Sequence, residues 1–173
     1  MTNELHNLPA YLFHQGTNYK AYEYLGVHKE NGRYVFRVWA PNADAVYVVG
    51  NFNVWCEDMP MYRVTDGIWE YIDKAHRVSE GDIYKFKIWN SYRCVYKADP
   101  YGIYCEESPD TASVIYESNY KWQDCSWREN ALKNAAEYYN KPMNIYEVHL
   151  GSWKKNSDGG YLSYLEIAKE LSE

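Results

Sequence analysis

The sequence predicts a mainly β protein: an immunoglobulin-like antiparallel β-sandwich, then a linker with a helix, then a strand and helix that open a βα series. Three observations lead there. Between Arg33 and about Tyr116 apolar and polar residues alternate with period two, as half-buried strands do. Turn-forming clusters ("ENGR", "APNAD", "TDG", "SEGD", "ADPYG") interrupt the alternation at short intervals and supply the Gly, Asn, Asp and Pro that chain reversal needs. Beyond the alternation, Pro142 divides a helical stretch from a strand–loop–helix pattern.

Residues 1–20, "MTNELHNLPAYLFHQGTNYK", form an N-terminal segment without the basic and apolar regions of a secretory leader. Residues 21–118 are the sandwich, with candidate strands "RYVFRVWA", "AVYVVGNF", "GIWEYIDKA", "DIYKFKIWN", "RCVYKA" and "TASVIYE". In "DIYKFKIWN" the period of two places Tyr84, Phe86 and Ile88 on one face and Ile83, Lys85, Lys87 and Trp89 on the other. One face is core; the opposite one carries two amines beside an indole. Residues 119–142 are the linker, where Ser126 and Glu129 have capping-box spacing and Trp127, Ala131, Ala135 and Tyr138 fall on one helical stripe. Residues 143–173 open with the apolar run "MNIYEVHLGSW", continue through "KKNSDGG" and end in "LSYLEIAKELSE". There Ser163 and Glu166 form a second capping box, and Leu165, Ala168 and Leu171 share a helix face.

Composition limits the function. A formal charge of −6 without a run of Lys or Arg excludes a nucleic-acid footprint, which needs a clustered positive field. No apolar stretch is long enough to span a membrane. Cys56, Cys94, Cys105 and Cys125 are scattered, with no C-x-x-C pair and no neighbouring His, so they read as reduced thiols in a cytoplasmic protein and not as a metal set. The 20 Tyr and 7 Trp supply rings with polar tips, suited to a core or to a partly wet recognition face. Glu57 with Asp58, and Glu106 with Glu107, are adjacent loop pairs, each member solvated separately, whereas a glycoside-cleaving pair faces across its substrate at about 5 Å. Glu147 and His149 lie on the expected strand after Pro142, where packing is the simpler reading.

The motifs "FHQGTNYKAYEYLGVH", "VWAPNADAVYVVGNFNVW", "GIWE", "YKFKI", "KADPYG", "DTASVIY", "IYEVHLGSW" and "LSYLEIAKEL" succeed one another in an order that resembles the N-terminal part of bacterial 1,4-α-glucan (glycogen) branching enzymes. The resemblance implies a sandwich of carbohydrate-binding module family 48 and, after the linker, the first strand and helix of a truncated (β/α)8 barrel of the α-amylase type. In that family a carboxylate attacks the anomeric carbon, an acid protonates the leaving oxygen, and a glucan 6-hydroxyl intercepts the glycosyl-enzyme. The catalytic Asp and Glu are expected on later barrel strands, so no catalytic residue is expected within this chain, and no cofactor. The expected partners are α-glucan (glycogen, amylose, malto-oligosaccharides) and the remainder of the barrel. By resemblance the indole of Trp55 stacks on a glucose face and Lys85 reaches a sugar hydroxyl. A second ring falls on Tyr92, with Trp89 the other candidate, and Thr111 or Ser113 contributes a hydroxyl. Two roles stay open for the sandwich, holding glucan or bracing the barrel. A free-standing glycogen-binding adaptor is the alternative to an enzyme module, and "IYEVHLGSW" with a capped helix after it favours the enzyme.

Overall fold

A computed structural model describes residues 8–138 and 140–172, with the side chain of Tyr138 outside the described part. The chain divides into two compact units, one up to Asn119 and one from Tyr120 onward.

The first unit is a sandwich of two antiparallel sheets. One sheet has the order β1-β2-β5-β4, built from Gly26–Glu30 (β1), Arg33–Trp39 (β2), Tyr62–Thr65 (β4) and Ile68–Ile72 (β5). The other runs β3-β6-β7, built from Ala45–Gly50 (β3), Ile83–Asn90 (β6) and Arg93–Lys97 (β7), with the short β8 (Ser113–Val114) also on β6. The alternating residues of the candidate strands meet between the sheets. Phe36, Val38 and Trp69 come from one side and Val46, Val48, Tyr84 and Phe86 from the other, with Met59, Met61 and Ile115 closing the layer. Each such side chain removed from water contributes about 1.5 to 3 kcal/mol. The rings pack edge to face, Phe36 on Tyr84 at 5.2 Å and Tyr84 on Phe86 at 5.8 Å between centroids.

All six candidate strands are present, although "TASVIYE" contributes only Ser113 and Val114 to a ladder. Two further strands lie outside the candidates, β1 ("GVHKE") and β4 ("YRVT"). Both are sheet edges, where a strand buries little and carries charge, so the alternation that marks central strands is weak. Trp69 is buried as a core indole, its Nε1 donating to the Ala40 carbonyl at 2.9 Å. Trp39 points outward and meets Phe13 edge-on at 5.8 Å, because it ends β2 on the face away from the core.

A short helix, α1 (Leu8–His14), adds a second small cluster in which Ala10 packs with Leu25 and Ile68. Beside it Arg37 is nearly buried, yet its guanidinium donates to Glu30 and Glu70 and stacks 4.7 Å over the Tyr24 ring. Arg37 holds the Glu30 carboxyl below the usual range, chiefly by hydrogen bonding.

The second unit departs from expectation. Met143 to His149 carry no strand, and Leu150–Trp153 form one helical turn, α4. A barrel strand is stabilised by hydrogen bonds to strands on both sides, and this segment enters no strand ladder among the described residues. Glu147 is exposed, and the His149 ring instead meets Ser152 Oγ at 3.0 Å. Helix α2 (Cys125–Lys133) begins one residue before Ser126, with Asp124 at the cap position, so Ser126 and Glu129 do not form the expected box. The stripe is also interrupted, since Asn134 separates α2 from α3 (Ala135–Tyr138) and Trp127 is exposed. The second box is present at α5 (Tyr164–Ser172), where the Ser163 N–H donates to Glu166 Oε2 at 2.7 Å and the Glu166 N–H to Ser163 Oγ at 3.4 Å. The buried residue of that helix is Ile167, while Leu165 and Leu171 are exposed.

Candidate functional site

The turn "GNFNVW" is built by one side chain. Asn53 is buried at 6% exposure; its Oδ1 accepts from Gly50 N–H at 2.8 Å. Its Nδ2 donates to the carbonyls of Val48 and Cys56 and to Asp58 Oδ1, at 3.1, 2.9 and 2.9 Å. Gly50 is required by close approach, because a Cβ there would lie 2.2 Å from the Ile83 carbonyl oxygen. The chain then passes through two left-handed residues, Val54 (φ 52°) and Trp55 (φ 60°). For a β-branched and a bulky residue this is strained backbone, of a kind that persists only when surrounding bonds impose it and that clusters at functional sites. The result is an exposed Val54 and a Trp55 that is 36% exposed, anchored by its N–H to the Gly50 carbonyl at 2.9 Å.

Strand β6 supplies the face beside this turn. Register pairs Lys85 with Val49, Lys87 with Tyr47 and Tyr96, and Trp89 with Ala45 and Cys94, so these side chains form a row on the outer side of the second sheet. Lys85 Nζ donates to Thr111 Oγ1 at 2.8 Å, bringing together two of the expected residues. The Trp89 indole N–H donates to Glu57 Oε1 at 3.0 Å, and Lys87 Nζ reaches the same oxygen at 2.6 Å. The Lys87 ammonium also sits 5.1 Å from the Tyr96 ring centroid and 5.9 Å from that of Trp89. Bonds from Lys87 and Trp89 hold the Glu57 carboxyl below its usual range, and Glu57 and Tyr96 push the Lys87 amine up.

Of the two candidates for a second ring, Trp89 stands in this row, half-buried, whereas Tyr92 projects from the β6–β7 hairpin with 98% of its surface exposed. Ser113 is not on the face at all. It is fully buried, and its Oγ accepts the Asp99 N–H at 2.9 Å, so its hydroxyl fixes the "KADPYG" turn and meets no solvent. Thr111, two residues earlier, is exposed and holds Lys85. Sequence reasoning places Lys87 on this side of β6 and passes over Tyr96; it reads Glu57 and Asp58 as separately solvated loop carboxylates, whereas Glu57 is bound by Lys87 and Trp89 and Asp58 by Arg77 and Asn53. The hairpin register through Ser91 and Tyr92 would have given Tyr96; nothing in the sequence brings Glu57, some thirty positions back, onto β6.

The face offers flat rings for the C–H side of a sugar, with an ammonium and a hydroxyl for its oxygens. It does not offer paired acid and base. Glu57 turns to Lys87, while Asp58 turns to Arg77 at 2.7 Å. Glu106 is engaged by the Ala112 N–H at 2.8 Å. Among the described residues no group of three or more His, Cys, Asp or Glu could hold a metal ion, and no helix is long and apolar enough to cross a membrane.

In comparison with known families, residues 24–102 match the model of the family described as Carbohydrate-binding module 48 (Isoamylase N-terminal domain). Over most of its length the chain is similar to the 1,4-alpha-glucan branching enzyme GlgB. It is 49% identical over 172 residues to that of Halothermothrix orenii (94% of this chain, 26% of the relative) and 45% identical over 170 residues to that of Bacillus subtilis strain 168 (94% and 26%). The chain thus spans about a quarter of the length of the curated relatives it matches. Among solved structures, a pullulanase complexed with maltotetraose from Anoxybacillus sp. LM18-11 covers 54% of this chain and 14% of its own, at 23% identity and TM-score 0.47.

Proposed function

We propose that the sandwich is an α-glucan-binding module of a 1,4-α-glucan branching enzyme, taking glycogen, amylose or malto-oligosaccharide chains on the outer side of β6. Its parent enzyme would cleave α-1,4 links and form α-1,6 branches through a retaining double displacement, with the catalytic carboxylates supplied outside this chain. The observation that carries the reading is the strained, Asn53-built turn that holds Trp55 beside the strand presenting Lys85, whose amine is already placed on Thr111. Trp55, Lys85, Trp89 and Thr111 are assigned to glucan, with Tyr92 as a contact at the hairpin tip. Ser113 is left out because it is buried. The domain limits 21–118, 119–142 and 143–173 go with this assignment. Four free cysteines, three of them exposed, support a reducing, cytoplasmic setting.

Affinity electrophoresis through glycogen-containing gels tests the assignment when run beside melting curves. Trp55→Ala and Lys85→Ala are each expected to lose retention. A Trp55 that stacks on sugar contributes on the order of 1 to 3 kcal/mol, comparable with the whole affinity of a millimolar site. Melting should shift little, since a ring anchored in the core would instead cost roughly 3 to 5 kcal/mol on removal. Unchanged retention in both variants would defeat the assignment.

A further inference from the structure

The loop after Trp55 returns over the β6 face, where Glu57 meets it. Glu57 Oε1 receives both the Trp89 indole N–H, at 3.0 Å, and the Lys87 ammonium, at 2.6 Å. A hydrogen bond to Nε1 lies in the plane of the indole, so it fixes the ring's rotation while leaving both faces without a polar partner from that bond. Lys87 is only 16% exposed at its side chain, and its ammonium lies 5.9 Å from the Trp89 ring centroid and 5.1 Å from that of Tyr96, so the same amine that binds Glu57 also sits over the indole. The same carboxylate ties the loop carrying Trp55 to the strand carrying Lys85. Asp58, its neighbour, is occupied by Arg77 and Asn53 and does not take its place.

We propose that Glu57 is a positioning residue of the glucan face, setting the orientation of Trp89 for stacking by holding its indole N–H together with Lys87. The inference rests on the glucan-binding reading above. A ring held in its bound orientation before the sugar arrives loses little freedom on binding, which raises affinity without any contact between Glu57 and the ligand. Glutamine can accept the indole N–H with its carbonyl oxygen, so Glu57→Gln should keep the arrangement. Trp89→Phe keeps an aromatic face but removes the N–H that Glu57 holds.

The test uses the whole chain, maltoheptaose as probe, and the indole N–H signals in nitrogen–proton correlation spectra, with the Trp89 signal identified by its loss in Trp89→Phe. Glu57→Ala is expected to weaken maltoheptaose binding about fivefold or more, to shift the Trp89 signal and to speed its exchange with water, at an unchanged melting temperature. Glu57→Gln should restore affinity and signal together. The double variant Glu57→Ala with Trp89→Phe should bind no worse than Trp89→Phe alone, because both remove the same bond. The inference is overturned if Glu57→Ala binds as the parent does while Trp55→Ala and Lys85→Ala have lost retention, or if it weakens binding with the Trp89 signal unmoved. Retention unchanged in the Trp55 and Lys85 variants as well would instead remove the glucan face, and this inference with it.

Discussion

Tyr84 carries a phenol into the middle of an apolar layer, and its environment shows how that is accommodated. Its hydroxyl donates to Asp99 Oδ2 at 2.6 Å, while Asp99 Oδ1 accepts the Tyr101 N–H at 2.8 Å. Burial pushes the Asp99 carboxyl above the usual range, and the donors from Tyr84 and Tyr101 oppose it. A carboxyl raised in the folded state favours folding most at low pH, and that contribution is lost as pH rises through the folded value. Tyr84→Phe removes a donor to the ionised form and raises Asp99 further. Its cost should therefore grow with pH, reaching about 1 to 3 kcal/mol near pH 7.5 and shrinking toward pH 4.5, as read from urea melts at the two values. A cost independent of pH would mean that the phenol matters only for packing.

At the scale of elements, α5 shows a local signal acting on its own. Ser163 and Glu166 exchange bonds across the first turn of the helix, and a single aliphatic side chain, Ile167, is buried. With so little burial, helix stability leans on the cap, so Ser163→Ala should cost about 1 kcal/mol locally. Hydrogen exchange of the amides from Tyr164 onward should quicken several-fold, with the amides of β6 unchanged. Strand β6 is the contrasting case. Its alternation is readable because Tyr84 and Phe86 are fully buried and Lys85 and Lys87 are not. The edge strands β1 and β4 escape the same reading because pairing on one side only leaves their side chains half in water. The apolar run from Met143 to His149 is legible as strand-like composition, but composition does not provide the hydrogen-bonded neighbours that make a strand.

For the whole molecule, the net charge of −6 and the neutrality of glucan lead to a further expectation. A face that works by stacking and by hydrogen bonds to uncharged hydroxyls releases no counterions. Retention on glycogen should therefore change by less than about twofold between roughly 50 mM and 500 mM salt, because Debye screening acts on separated charges and not on ring contacts. A steep fall would show that a charged contaminant or a nonspecific ionic contact carries the retention.

By itself the sequence determined the period-two strands, the turns between them, the cap of α5 and, through motifs in order, the likeness to branching enzymes that the comparisons bear out. These are legible because each depends on residues close together in the chain. The meeting of the Glu57 loop with Lys87 and Trp89, the burial of Ser113 beneath Asp99, the outward turn of Trp39 and the choice of Ile167 over Leu165 as the buried residue were decided only by the tertiary structure. Each of these joins or separates residues distant in sequence or sets which side of an element faces a neighbour, and no local spacing encodes where that neighbour lies.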